Sequence, residues 1–239
     1  MKLDVLAIGS HPDDVELACG GTLALLAKQG KKVGILHLSR GERGTRGTVE
    51  ERQQEAAAAA KALGAVGVGF LDCGDGAFRT GEAEEDALIE KLREWRPDLL
   101  FAPSPSDRHP DHHRAYQLVQ SASFYAGLKN RHPEAGPPFR PGAVFAYMQH
   151  DPFEPSFIVD VSSTWEAKLE SLRCYRSQLY QGEKKGPETK VASREFWLAV
   201  EGRARHFGLM INAELGEPFW SRLPLAVSDI SGIVPGGLR

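Results

Sequence analysis

The sequence predicts an α/β fold: a doubly wound, mainly parallel sheet with helices on both faces. Three observations predict it. Short apolar runs alternate with longer stretches of helical spacing through the first half of the chain. Repeated strand–helix–strand units imply parallel strands whose two faces are covered. Glycine or proline stands at most changes of period, as turns and helix ends require. Finally, 239 residues with 41 % hydrophobic and 26 % charged side chains can bury a core of that kind.

Residues 3–9 (LDVLAIG) form a short apolar run ending in glycine, a buried-strand signal. Residues 15–29 have helical length and spacing, and Gly30 closes them. Residues 32–38 are a second strand, followed by a polar, glycine-rich loop at 39–48. Residues 49–63 are a helix, charged at first and then alanine at 56–60, with Gly64 as its stop. A third strand is expected at 65–71. The charged amphipathic helix at 82–95 ends before Pro97. Residues 98–102 (DLLFA) are the fourth strand, 103–110 a loop and 111–127 the next helix. Pro133, Pro137, Pro138 and Pro141 then mark a long loop. Strands at 143–147 and 157–161 follow, and long helices at 164–180 and 188–207. There is no clear linker, repeat or block of like charge, so one domain over 1–239 is expected. Its βα core is 1–128, and 129–239 elaborates it.

Composition excludes several classes. A formal net charge of −3 argues against a protein built to hold nucleic acid or an anionic membrane. No apolar run reaches the ~18 residues of a membrane span. Cys19, Cys73 and Cys174 form no C-x-x-C pair, which fits a reducing cytoplasm rather than a disulfide framework. The apolar start of the chain meets His11, Asp13, Asp14 and Glu16 at once, unlike a secretory leader.

One short motif occurs twice. His11-Pro12-Asp13-Asp14 follows the first strand and His109-Pro110-Asp111-His112 the fourth. With 8 His, 15 Pro and 12 Asp, a shuffled chain would hold about 0.03 copies of His-Pro-Asp. Either copy alone reads as a capping turn. Together they say more, because a Rossmann-like sheet commonly runs 3-2-1-4-5 and binds ligands outside the carboxyl ends of its strands, at the switch point. Strands one and four are then neighbours, and the two loops face one crevice. Imidazole nitrogens and a carboxylate are the donors of a catalytic zinc with an open water position. A remaining carboxylate can act as general base, and a remaining histidine as acid or oxyanion donor. That inventory suits metal-assisted amide hydrolysis. Spacing alone leaves open whether Asp13 or Asp14 is the ligand.

His11 to Glu16 with Gly20-Gly21-Thr22, and Asp107 to His112, resemble the two signatures of the LmbE/PIG-L family of zinc-dependent N-deacetylases. Gly41-Glu42, Gly47-Thr48, Arg52, Tyr175, Ser177-Gln178 and residues 203–208 extend the resemblance over nearly the whole chain. It is strongest to the bacillithiol-biosynthesis branch, which deacetylates N-acetylglucosaminyl-malate. The resemblance implies that His11, Asp14 and His112 hold one Zn2+, iron or cobalt being alternatives. It implies Asp13 as base and His109 as acid or electrophile, oriented by Asp111. It also implies a homo-oligomer, a hexamer in many members of that branch.

Arg52 and Arg108 are candidates for a substrate anion, since a guanidinium binds two carboxylate oxygens at once. The bland alternatives are an Arg52–Glu55 surface pair and a solvated loop arginine. The nearest alternative is a related deacetylase or amidase acting on another glycoconjugate, a thiol conjugate or a chito-oligosaccharide. A nucleotide-binding protein is a more distant rival, since neither G-x-G-x-x-G nor the P-loop pattern is present.

Overall fold

A computed structural model describes residues 1–182 and 186–229; the rest of the span 1–239 lies outside the described residues. Strands β1 (Val5–Gly9), β2 (Val33–His37), β3 (Gly67–Phe70) and β4 (Leu99–Ala102) alternate with helices α1 (Asp14–Lys28), α2 (Val49–Ala62) and α3 (Glu82–Trp95). Helix α4 (Pro110–Tyr125) follows, then β5 (Ala143–Tyr147), β6 (Phe157–Asp160), α5 (Trp165–Cys174), α6 (Arg194–Met210) and β7 (Gly216–Ser221). The seven strands form one sheet in the order β3-β2-β1-β4-β5-β7-β6. The expected order 3-2-1-4-5 is therefore present, and β1 pairs in parallel with both β2 and β4. The Rossmann-like class holds.

Side chains alternate across the strands and divide the core into layers. Leu6 and Ile8 of β1 pack with α3 and α4 through Leu88, Leu92 and Leu118. Val5 and Ala7 face the other way, toward Leu23 of α1. Beyond α1, the alanines of α2 pack against Trp165 and Leu172 of α5 and Val200 of α6. Thr48 starts α2 with a full capping box to Glu51, which satisfies two otherwise orphaned backbone donors. No helix is long and apolar enough to cross a membrane among the described residues.

The C-terminal half departs from expectation. β7 lies antiparallel between β5 and β6, where no strand was expected. The helix expected over 164–180 ends at Cys174, because Tyr175 turns inward and donates its hydroxyl to the buried Glu16 at 2.9 Å. The helix expected from 188 starts at Arg194, capped by Ser193. The first helix is broken at Cys19, with φ −136° and ψ 21°.

Candidate metal centre and catalytic site

The loop leaving β1 folds back sharply. A Cβ on Gly9 would lie 3.1 Å from the His11 carbonyl oxygen and 3.3 Å from the Asp14 Cβ, so the turn leaves little room for a side chain there. Asp13 takes φ 102° and ψ −24°, a left-handed conformation that costs a non-glycine residue about 1–3 kcal/mol. Asp14 Oδ2 accepts the backbone N–H of His11 at 2.8 Å and locks the turn. The loop leaving β4 ends in a capped helix. His109 is the N-cap of α4, Pro110 fills its first turn, and His109 Nδ1 accepts the backbone N–H of Asp111 at 3.2 Å.

These loops bring His11, Asp14 and His112 together, each offering a donor atom within 4.8 Å of the others. Asp14 Oδ2 lies 3.5 Å from His11 Nδ1, and Asp14 Oδ1 lies 3.4 Å from His112 Nε2. A tetrahedral zinc with bonds of ~2.0–2.1 Å spaces its donors by about 3.3 Å, and each imidazole nitrogen has one Asp14 oxygen near that distance, so these three residues are the ones that would hold such an ion. The far ring nitrogens are also held, as ligand histidines require. His11 Nε2 faces Asp111 Oδ2 at 3.2 Å and Asp75 Oδ1 at 3.3 Å. His112 Nδ1 faces Asp107 Oδ1 at 3.1 Å.

The electrostatics point the same way. Burial opposes charge on both rings, yet hydrogen bonds to Asp111, Asp14 and Asp75 hold His11 well above its ordinary pKa. Asp14 and Asp107 likewise raise His112 to about 9, against its burial. A pocket that draws protons onto its imidazoles carries surplus negative charge, which a divalent cation neutralises. Burial raises Asp13 to about 7 although Arg52 opposes the rise. Burial, then the neighbouring His11 and His112, lower His109.

Asp111 is buried, and its carboxylate serves His11 and the N–H of Gly76 at 2.7 Å. It meets His109 through its backbone N–H. Arg52 is also buried. It donates to the carbonyls of Pro12 at 2.8 Å and Gly41 at 3.1 Å, and stands 3.9 Å from Asp13 Oδ2. A Cβ at Gly41, where φ is +67°, would overlap the Arg52 guanidinium, which explains that glycine. Arg108 is exposed beside His109.

Four contributors had no role in the sequence reading: Asp75, Asp107, Gln149 and His150. The Gln149 amide donates to Asp14 Oδ1 at 2.7 Å. The His150 ring stacks on His112 with centroids 5.6 Å apart. Both follow β5, so the expected sheet order was the signal that could have found them. His37 also has a place: its Nδ1 donates to the His11 carbonyl at 3.2 Å, and burial lowers its pKa to about 4.

A family model described as GlcNAc-PI de-N-acetylase (PIG-L) matches residues 6–123. A diacetylchitobiose deacetylase of Thermococcus kodakarensis is 33% identical over 188 residues, covering 73% of this chain and 69% of that protein. A 4-oxalmesaconate hydratase of Pseudomonas putida is 31% identical over 193 residues, covering 72% of this chain and 73% of that protein. The solved structure of a conserved protein from Thermus thermophilus superposes with a TM-score of 0.85 at 38% identity, covering 94% of this chain and 97% of that one. The chain belongs to the PIG-L family.

Proposed function

We propose that this enzyme is a metal-dependent N-deacetylase that hydrolyses the acetamide of an N-acetylglucosaminide to acetate and the free amine. The observation that carries the proposal is the His11–Asp14–His112 cluster with Asp13 and His109 beside it. A divalent cation held there, zinc by its donor set, supplies Lewis acidity toward the acetyl carbonyl and makes water acidic near neutral pH.

The chain's own residues do the rest. Asp13 takes the proton of the attacking water. His109 accepts an N–H at Nδ1, so its neutral ring carries its proton on Nε2. That N–H is given to the oxygen that becomes negative as the carbonyl is attacked. The leaving nitrogen takes its proton from Asp13 or His109. Arg52 holds the Pro12 and Gly41 carbonyls together and so fixes the loop that presents Asp13.

The finer proposal is N-acetylglucosaminyl-malate as substrate. Its support is the motif resemblance to the bacillithiol branch and the exposed Arg108, open to a carboxylate beside His109. The diacetylchitobiose deacetylase among the relatives supports the N-acetylglucosamine part. A homo-oligomer working in the cytoplasm belongs to the same proposal, the latter supported by three unpaired cysteines.

The test measures acetate and primary amine released from the malate glycoside, the methyl glycoside and diacetylchitobiose. Equal release of both products, fastest from the malate glycoside, is expected. Absence of acetate from all three would overturn the proposal. Hydration of an unsaturated dicarboxylate in place of deacetylation would move the enzyme to the hydratase side of its relatives.

A further inference from the structure

We infer that Gln149 and Arg203 are positioning residues for Asp14, so that the C-terminal half of the chain sets the carboxylate ligand of the metal centre. The inference rests on the metal-centre reading above.

The path starts at the break in α1. Gly21 N–H would be the helical partner of the Leu17 carbonyl. It donates instead to Glu217 Oε1 at 3.0 Å, while the N–H and hydroxyl of Thr22 go to Glu217 Oε2 at 2.7 and 2.6 Å. A Cβ on Gly21 would lie 3.1 Å from Glu217 Oε1 and 2.8 Å from the Val161 Cβ, so the glycine gives room for this approach. The released Leu17 carbonyl accepts two cations, Lys168 Nζ at 3.0 Å and Arg203 Nη2 at 3.0 Å. Lys168 also meets Glu217 at 2.5 Å.

Arg203 is a fork, and its other prong reaches the site. Nη1 donates to the Gln149 carbonyl. The Gln149 side chain then donates to Asp14 Oδ1. Arg203 thus touches the first turn of α1 twice, through Leu17 and through Gln149 on Asp14. The side-chain amide of Gln149 has one workable orientation, because a carboxylate only accepts. In that orientation Gln149 Oε1 is buried with no partner among the described residues. An orphaned buried acceptor is costly, and the contact with Asp14 is what holds the amide that way. Asp14 is then gripped at both oxygens, by the His11 N–H on Oδ2 and by Gln149 on Oδ1. Removing Gln149 frees the carboxylate to rotate away from His112.

Zinc dissociation constants for the full chain, by competition with a chromophoric chelator, test this directly. Gln149→Met keeps the size and loses the donor. It is expected to weaken zinc about 10–100-fold, the usual effect of removing a group behind a metal ligand. The visible spectrum of cobalt(II) bound in place of zinc should shift, with circular dichroism unchanged. Arg203→Met should weaken zinc less. The double variant should weaken zinc by clearly less than the product of the two single effects, because Arg203 shares the Gln149 path and adds only its contact with Leu17. Parental zinc affinity and cobalt spectrum in Gln149→Met would overturn the inference even if Arg203→Met did not fold. Additive losses in the double variant would also overturn it. A parent chain that binds neither metal would overturn the metal-centre reading and this inference with it.

Discussion

At the scale of single residues, backbone conformation sets the two adjacent aspartates apart. Asp14 opens α1 and faces both imidazoles, whereas Asp13, at φ 102°, stands by Arg52. Asp13→Asn is expected to keep the metal and lose about 10²–10⁴ in kcat. Metal analysis beside steady-state kinetics checks both halves of that statement. His109→Ala should cost about 10²–10³ in kcat, with KM less affected. The repeated motif made the six candidate residues of the two loops legible as one cluster, because His-Pro-Asp is rare and its two copies follow strands that the topology makes neighbours. The choice between Asp13 and Asp14 was not legible from spacing, since both carboxylates can reach one point. Arg52 was harder still: its partners are the carbonyls of Pro12 and Gly41, and backbone acceptors leave no mark in a sequence.

Among the elements, legibility followed regularity. β1, β2 and β4 are apolar runs in the interior of the sheet and β3 is a half-buried run at its edge, and the pattern alone located all four. β7 was missed because GEPFWS carries Gly216 and Pro218 in six residues, and proline normally argues against a strand. The end of α5 was missed for another reason. Ser177 and Gln178 leave the helix to bind the 39–48 loop. Gln178 Nε2 donates to the Arg46 carbonyl at 2.6 Å, and Arg46 Nε donates to the Ser177 carbonyl at 2.6 Å. Such long-range contacts have no local periodicity. Two predictions belong here. Thr48→Ala removes the capping box of α2 and should lower stability by about 1 kcal/mol in urea unfolding. Gly41→Ala puts a methyl against Arg52 at a positive φ. It should lower kcat as well as stability, since Arg52 fixes the Asp13 loop; unchanged kcat would show that the loop's position does not matter.

Across the whole molecule, the sheet order does the assembling. β1, β4 and β5 lie side by side, so their carboxyl ends bring His11 and Asp14, His112, and Gln149 into one crevice. The elaboration after residue 129 is more than a cover, because α5, α6 and β7 supply Lys168, Arg203 and Glu217 to the broken helix that carries Asp14. Lys168 and Glu217 are each 2 % exposed. Lys168→Met leaves Glu217 buried without its counter-ion and should cost about 3–5 kcal/mol in urea unfolding. The central claim is that the crevice holds a metal ion that works on an amide. It is tested most directly by removing metal with a chelator, then following amine release from an N-acetylglucosaminide as zinc is returned. Turnover should vanish with the metal and return in proportion to bound zinc, up to one ion per chain, and His112→Ala should regain none. Full turnover in the metal-free enzyme would contradict the account.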